Sequence, residues 1–493
     1  MKKEVNYLYF SFLLLFLCSL SALHYQTPHF FLFYSFGQAL LEVSFFVLIA
    51  HLIKKFRWLF YTFISLTFLF LLLHFTHFTM VRVMDSTLLY IFKFFFGSGI
   101  DHLIAGFQAL NMNATMIGIT AATLILIPIV GLGFYWLTHK LAHIKPLYLS
   151  VKQIGAVLGA IFILLFGIDL AIHPYLTWKT YTKYQKTLPL GRTFLSPPSH
   201  PLPLSFPPAK TETDPPDLKA QHRPNIYFFV IETLRRDFIT EAIAPEMSRF
   251  GKDSLQLPLS HSNASSTHLS WFAIFHSDLP FYWAQRRDTW HQGSLPLRML
   301  KKMGYEIHVK SSADLRFFNM DQLLFGKQRE VADSIEEVEA TLAPYARDAL
   351  AIESVFKNLK PSGQAYLIFL DATHSEYSFP PDFPLRFAPI AKEVDYLTIH
   401  AKSPELEGLK NRYKNAISYV DYLIGKFFAT LKQKNLFDDA IISITGDHGE
   451  EFFEEGALFH GTHLNSYQTS VPIFLKFPQS WPPQTDLITH IDL

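Results

Sequence analysis

The sequence predicts a two-part chain: an α-helical membrane domain of five spans, then an α/β domain with a mainly parallel sheet. Three observations carry this. Long uncharged apolar runs crowd the first 172 residues, a proline-rich stretch follows them, and beyond it short apolar runs alternate with helical patterns.

Composition sets the frame. Hydrophobic residues make up 49% of the 493 and charged residues 17%, against about 25% charged in a typical soluble domain. This excludes a disordered chain and a coiled coil, and argues against a wholly soluble enzyme. With 43 basic and 42 acidic residues, no charge excess marks nucleic acid as a partner. The single cysteine, Cys18, lies in an apolar run, so an intrachain disulfide and a cysteine-based zinc site are excluded.

The five spans are read at about 7–23, 30–53, 58–81, 116–137 and 153–172. About 20 apolar residues cross the hydrocarbon as a helix, and soluble helices rarely stay apolar on every face for so long. The first run could instead be a signal peptide behind Lys2 and Lys3, but four later spans favour its retention. Lys2, Lys3, Lys54, Lys55, Arg57, Lys140, Lys145 and Lys152 all fall on one side of a five-span count. That side is the cytoplasm by the positive-inside rule, which puts everything after 172 outside the membrane. The loop 82–115 is external, and its apolar stretch 88–96 is too short to span and lies along the interface. Two carboxylates fall in the spans. Asp169 reads as a helix-end residue reaching the interface. For Glu42 that reading and a headgroup or proton contact both stand.

The membrane domain is placed at 1–182 and a tether at 183–225, where ten of the 29 prolines lie between 187 and 225. Such a segment cannot be a helix or a central strand. The outer domain is placed at 226–493. Continuous apolar runs at 226–233, 305–309, 366–370, 441–445 and 471–477 read as strands buried on both faces. Helical patterns separate them, most clearly at 409–432, with apolar residues at 413, 417, 420, 424, 428 and 431. In such sheets ligands gather at the carboxyl ends of strands.

Those ends carry chemistry. The first strand ends in Glu232, the run 366–370 leads to Asp371 and His374, and the run 441–445 ends in Gly446-Asp447-His448-Gly449-Glu450. A hydroxyl-rich stretch with Ser265, Ser266, Thr267 and Ser270 lies between. Each alone reads as a cap, a solvated pair or a turn. Together they offer carboxylate, imidazole and hydroxyl to one divalent metal, and oxygen and nitrogen donors suit zinc or manganese.

Three segments, in this order and spacing, resemble the alkaline phosphatase/sulfatase superfamily: Asn225-Ile226 with Glu232-Thr233-Leu234-Arg235, then Thr267-His268-Leu269-Ser270, then Gly446-Asp447-His448-Gly449-Glu450. Within it the chain is similar to the membrane-anchored phosphotransferases, the lipoteichoic acid synthases and lipid A phosphoethanolamine transferases. The resemblance implies Glu232, Asp447 and His448 as metal ligands and Thr267 as nucleophile and fourth ligand. It implies His374 and His460 beside the substrate phosphate. His463 competes with His460, and Ser266 with Thr267, although Thr267 fits the family's T-x-x-S pattern. The implied cofactor is one divalent ion, zinc or manganese, with magnesium as an alternative. The implied partners are a phospholipid donor and a glycolipid or glycan acceptor. The implied reaction is transfer of a phosphoethanolamine or phosphoglycerol headgroup through a phospho-threonine; hydrolysis of a phosphoester or sulfuric ester is the alternative.

Arylsulfatases need a Cys or Ser followed by Pro and Arg, so that it becomes formylglycine. Here His268-Leu269-Ser270-Trp271 follow Thr267 and the outer domain has no cysteine, so that route is not expected. The membrane layout and the stretch 169–195, with Leu188-Pro189-Leu190, also resemble the lipopolysaccharide-sensing sulfatase-like proteins of enterobacterial inner membranes, which lack the metal site. A non-catalytic lipid sensor is therefore the reading from another class. The last residues, 487–493, look like the family's lead into a further helix, which implies a fold that continues past this C-terminus.

Overall fold

The computed structural model describes residues 5–24, 28–96, 114–141, 149–191, 197–198, 213–217, 219–256, 260–339, 341–375, 377–395, 399–478 and 489–490. Lys2, Lys3, Lys145, the loop residues 97–113, about half of the proline-rich stretch and most of 487–493 lie outside the described residues. The chain divides into two compact units, Met1–Phe206 and Pro207–Leu493.

The first unit is helical: α1 (Tyr7–Ala22), α2 (His29–Ile53), α3 (Arg57–Met84), α4 (Leu88–Phe96), α5 (Ala114–Leu141), α6 (Val151–Ile172) and α7 (Trp178–Gln185). α2, α3, α5 and α6 are long and apolar enough to cross a membrane, whereas α1, at 16 residues, is shorter. Their ends follow local chemistry. Ser150 caps α6 by accepting from the Gln153 N–H while Gln153 reaches back to the Ser150 backbone, a closed capping box. Asp85 ends α3 in the left-handed region, and Lys186 pairs with its carboxylate. Tyr9, Phe10, Ile64 and Tyr135 pack in the centre of this unit. Glu42 lies mid-way along α2, so the helix-end reading does not hold for it; it meets His74 of α3 at 3.0 Å. Asp169 is buried near the end of α6.

The second unit is built on a seven-stranded sheet. Its strands are β1 (Ile226–Ile231), β2 (Leu255–Gln256), β3 (Glu306–Ser311), β4 (Ser334–Glu337), β5 (Gln364–Leu370), β6 (Ile441–Gly446) and β9 (Ile473–Lys476), in the order β2-β9-β6-β1-β5-β3-β4. β7 (Glu451–Phe452) and β8 (Leu458–Phe459) form a separate hairpin. The pairs β6-β1, β1-β5, β5-β3 and β3-β4 are parallel; β9 runs antiparallel to β6, and β2 antiparallel to β9. The helices are α8 (Pro245–Lys252), α9 (Thr267–His276), α10 (Trp283–Thr289), α11 (Leu295–Lys302), α12 (Met320–Phe325), α13 (Pro344–Val355), α14 (Pro404–Gln433) and α15 (Ser466–Thr469).

The continuous apolar runs exist because both sheet faces are covered. On one face Phe427 of α14 meets Tyr227 and Phe229 edge-on at 5.2 and 5.1 Å. On the other, Trp271 of α9 stacks on Phe369 at 4.1 Å. Phe427 is fully buried, so Phe427→Ala would cost about 3–5 kcal/mol through lost transfer energy and a cavity.

The register positions the site. Ile231 is level with Leu370 on one side and with Gly446 on the other. The next residues along these three parallel strands are Glu232, Asp371 and Asp447, so three carboxylates leave the sheet in one row. Gly446 is required there: a Cβ on it would lie 2.5 Å from the Leu234 carbonyl oxygen.

Candidate metal centre

The backbone that presents Glu232 is strained and tightly held. Thr233, a β-branched residue, takes φ +55°, a conformation such residues rarely adopt. It is held by its N–H donating to Asp447 Oδ1 at 2.9 Å, its hydroxyl donating to the Thr373 carbonyl at 2.5 Å, and its own carbonyl accepting from Tyr413 Oη at 2.5 Å. Thr373 returns a hydrogen bond to the Glu232 carbonyl at 2.5 Å. The ends of β1, β5 and β6 are thus tied into one rim.

Thr267 is the first residue of α9, after Ser266 at the N-cap position. The start of a helix presents free N–H groups and the positive end of the dipole, which suits an anion. Of the two neighbouring hydroxyls, Thr267's donates to Glu232 Oε1 at 3.1 Å and lies 3.4 Å from His448 Nε2. His448 Nε2 is 3.2 Å from Glu232 Oε1 and 3.5 Å from Asp447 Oδ2. His448 Nδ1 donates to the Gly449 carbonyl at 3.0 Å, which leaves the Nε2 lone pair for a ligand. Glu232, Asp447 and His448 are buried, and their ligand atoms lie within 4.8 Å of one another.

The electrostatics of this cluster are lopsided. Burial alone would raise Glu232, but the hydrogen bond and charge of His448 outweigh it and hold its carboxyl well below the usual range. Burial would lower His448, but the charges of Asp447 and Glu232 push it up to about 10. Asp447 is pushed up, first by burial and then by the Glu232 charge. Among the described residues no Lys or Arg pairs with either carboxylate. Asp447 Oδ2 is buried without a hydrogen-bond partner, which is costly for a carboxylate in a dry site. Two carboxylate oxygens, an imidazole nitrogen and a hydroxyl around that orphaned atom fit a divalent metal.

His374 and His460 fall beside the cluster and form a second candidate group with Glu232, again within 4.8 Å. The His460 ring is 4.3 Å from His448 and 5.5 Å from His374. Burial lowers His460, against the raising effect of the Glu450 charge. His463 sits apart from this group, with Nδ1 3.8 Å from Glu451. Sequence reasoning assigned no role to Glu450, although it lies inside the Gly446–Glu450 motif; its buried carboxylate holds His460 Nδ1 at 3.2 Å. Nothing in the sequence signals Thr233, Thr373 or Tyr413 as the rim's fasteners.

Residues 224–493 match the sulfatase family model. The chain belongs to the sulfatase family. No curated protein matches it. Among solved structures, the integral membrane lipooligosaccharide phosphoethanolamine transferase A of Neisseria meningitidis shares 14% identity over 97% of this chain and 86% of its own, with a TM-score of 0.56. The C-terminal periplasmic domain of phosphoethanolamine transferase EptC from Campylobacter jejuni shares 17% identity over 52% of this chain and 80% of its own, with a TM-score of 0.42. The lipoteichoic acid synthase LtaP of Listeria monocytogenes shares 17% identity over 55% and 69%, with a TM-score of 0.41. At these identities the likeness is one of fold. Four long apolar helices and a separate C-terminal sulfatase domain match a multi-pass inner-membrane protein with an extracytoplasmic catalytic domain. Family membership and the His/Glu/Asp cluster support metal-dependent phosphoryl-transfer or hydrolytic chemistry, and the architecture supports interaction with envelope lipids and glycans.

Proposed function

We propose that the chain transfers a phospholipid headgroup, of the phosphoethanolamine or phosphoglycerol type, to a hydroxyl of a cell-envelope glycan or glycolipid through a phospho-Thr267 intermediate. The observation that carries this is the Thr267 hydroxyl, set at the N-terminus of α9 and hydrogen-bonded to Glu232. Under this reading Glu232, Thr267, Asp447 and His448 hold one divalent ion: zinc or manganese, or magnesium. Such an ion lowers the pKa of a bound hydroxyl and offsets charge on phosphoryl oxygens.

The chain's own groups supply the rest. Glu232 Oε1 accepts the Thr267 hydrogen bond, the direction in which the proton leaves as Oγ1 bonds phosphorus. The helix N-terminus faces the phosphoryl oxygens. His460, held at Nδ1 by Glu450, presents Nε2 to the departing diacylglycerol oxygen, and His374 stands beside it as the second phosphate contact. As the phosphorus–oxygen bond to diacylglycerol breaks, that oxygen takes the Nε2 proton of the histidine, which enters this half-reaction as an imidazolium paired with Glu450. In the second half the acceptor hydroxyl attacks phosphorus as the Thr267 Oγ1–phosphorus bond breaks; the acceptor's proton goes to the same histidine, and Oγ1 takes its proton back from Glu232.

The test is mass spectrometry of the Thr267 peptide, combined with transfer from labelled phosphatidylethanolamine and phosphatidylglycerol in membranes expressing the full chain. A headgroup-phosphate adduct on Thr267 with a labelled envelope acceptor is the expected result. Release of free headgroup phosphate alone would make the protein a hydrolase. Neither adduct nor turnover, with metal bound, would make it a lipid-binding protein.

A further inference from the structure

α13 lies against the carboxyl end of β5. Asp348, on its second turn, is fully buried, and its ligands are neutral. Its Oδ1 accepts from Ser312 Oγ at 2.5 Å and from the Asp371 N–H at 2.8 Å; its Oδ2 accepts from the Ala372 N–H at 3.0 Å. The two amides belong to the first residues beyond β5, where the strand ladder has ended and a backbone donor must find another acceptor. The preceding residue, Arg347, donates to the Ser312 carbonyl and to Asp371 Oδ2, the latter at 2.9 Å. Two consecutive helical residues therefore grip the turn: Asp348 holds the backbone N–H groups of Asp371 and Ala372, and Arg347 holds the Asp371 side chain.

The gripped turn is the one that leads to the metal-centre rim. Beyond Ala372, Thr373 is fastened to Glu232 and Thr233, and the His374 N–H closes the turn on the Asp371 carbonyl at 3.0 Å. One end of the four-residue turn is thus fixed to α13 and the other to the end of β1, with His374 at its close. Burial pushes Asp348 up to about 7 despite its hydrogen bonds. A carboxylate that unfavourably placed is a poor choice for packing alone.

We propose that Arg347 and Asp348 form a positioning pair that sets His374 against the Glu232–Asp447–His448 cluster, and so controls turnover in the headgroup transfer put forward above. The inference rests on that reading for its consequence and on the turn's geometry for its substance.

The experiment uses the full chain in lipid nanodiscs with labelled phosphatidylethanolamine, comparing the parent with Asp348→Asn, Arg347→Met, His374→Ala and the double variant Asp348→Asn/His374→Ala. Asp348→Asn keeps the shape but replaces an acceptor with a donor facing an N–H. It should lower kcat about tenfold to a hundredfold, the scale of a misplaced contact, with KM little changed. The double variant should be no slower than His374→Ala, because the pair acts only through that histidine. A merely structural role would instead multiply the two losses, and that result, or parent-like kcat in Asp348→Asn, overturns the proposal. Hydrogen exchange supplies an arm that does not depend on activity. Amides 371–374 should exchange about tenfold faster or more in Asp348→Asn, while those of β5 stay protected. If the parent moves no headgroup, the functional reading has failed, and parent-like exchange at 371–374 would then remove the clamp as well. If Asp348→Asn does not fold, Arg347→Met carries both arms with the same expected directions.

Discussion

In the membrane unit several polar groups close on a partner from a neighbouring helix; in the Glu232–Asp447–His448 cluster at the carboxyl edge of the sheet one carboxylate oxygen is left without one. Tyr9 meets Thr67 at 3.0 Å, Ser21 meets Ser35 at 2.5 Å, Asn6 reaches Thr138 at 2.8 Å, and Glu42 meets His74 at 3.0 Å. Each of these is a short closed contact that ties two helices, as polar groups in an apolar surround must be. At the sheet edge two carboxylates and an imidazole are turned toward one another, and Asp447 Oδ2 is left over. The difference teaches how to separate structure from chemistry. A satisfied pair fixes helices, whereas a buried cluster of carboxylates and imidazole with an unpaired oxygen is able to coordinate a divalent cation.

The sharpest way to break this contrast is Thr267→Ala. If the edge cluster exists for chemistry, removing the attacking oxygen costs about 10⁴-fold or more in headgroup transfer, and Thr267→Ser retains part of the activity. Transfer assays on membranes expressing each variant check this; substantial transfer by Thr267→Ala would move the attack to Ser266 or water.

A smaller effect is expected where the polar pair is closed. His74→Leu leaves Glu42 facing an apolar side chain and should lower stability by about 1–3 kcal/mol, while Glu42→Leu/His74→Leu together should cost less than the single change. Thermal melting in detergent reads both. Equal losses in single and double variants would show that the two side chains do not act as a pair.

The smallest effect sharpens the comparison within the second unit, at a buried histidine that does have its partner. His276 stacks on Phe272 at 4.9 Å, and its Nε2 donates to the Leu323 carbonyl at 3.0 Å. Burial first, and the Arg286 charge as well, hold it down at about 3, against the raising effect of the Leu323 hydrogen bond. The unfolded chain takes up this proton near pH 6.5, and the fold takes it up only near 3. The stability His276 provides is therefore complete above 6.5 and is lost as pH falls toward 3. At about pH 5.5 the loss is on the order of 1.4 kcal/mol. The melting-temperature difference between the parent and His276→Gln should shrink from about pH 7.5 to about pH 5.5; a constant difference would show that His276 does not titrate this way.

The same contrast explains what could be read from sequence. The central strands were legible because β1, β5 and β6 are apolar on both faces, and with them the carboxylates that leave their ends. β4 was not, because Ser334–Glu337 is a polar edge strand, half-buried at its start and exposed at its end, without an apolar run to mark it. The antiparallel direction of β9 was not either, since side-chain pattern does not encode direction. Legibility at the site stopped at the candidate ligands and the candidate nucleophile. The residues around them, Thr233, Tyr413, Arg347 and Asp348, are ordinary in sequence and meet their partners across 23 to 214 residues of chain. Glu42 could not be assigned for the same reason: its partner lies on another helix.

Metal content tests the central claim most directly. The full chain, purified without chelator and measured by elemental analysis, should carry about one divalent ion per molecule. Asp447→Ala and His448→Ala should each lose most of it, while Glu42→Gln, from the closed pair, should keep it. Equal metal in Asp447→Ala and parent, or a parent that takes up none when zinc, manganese or magnesium is supplied, would contradict the account.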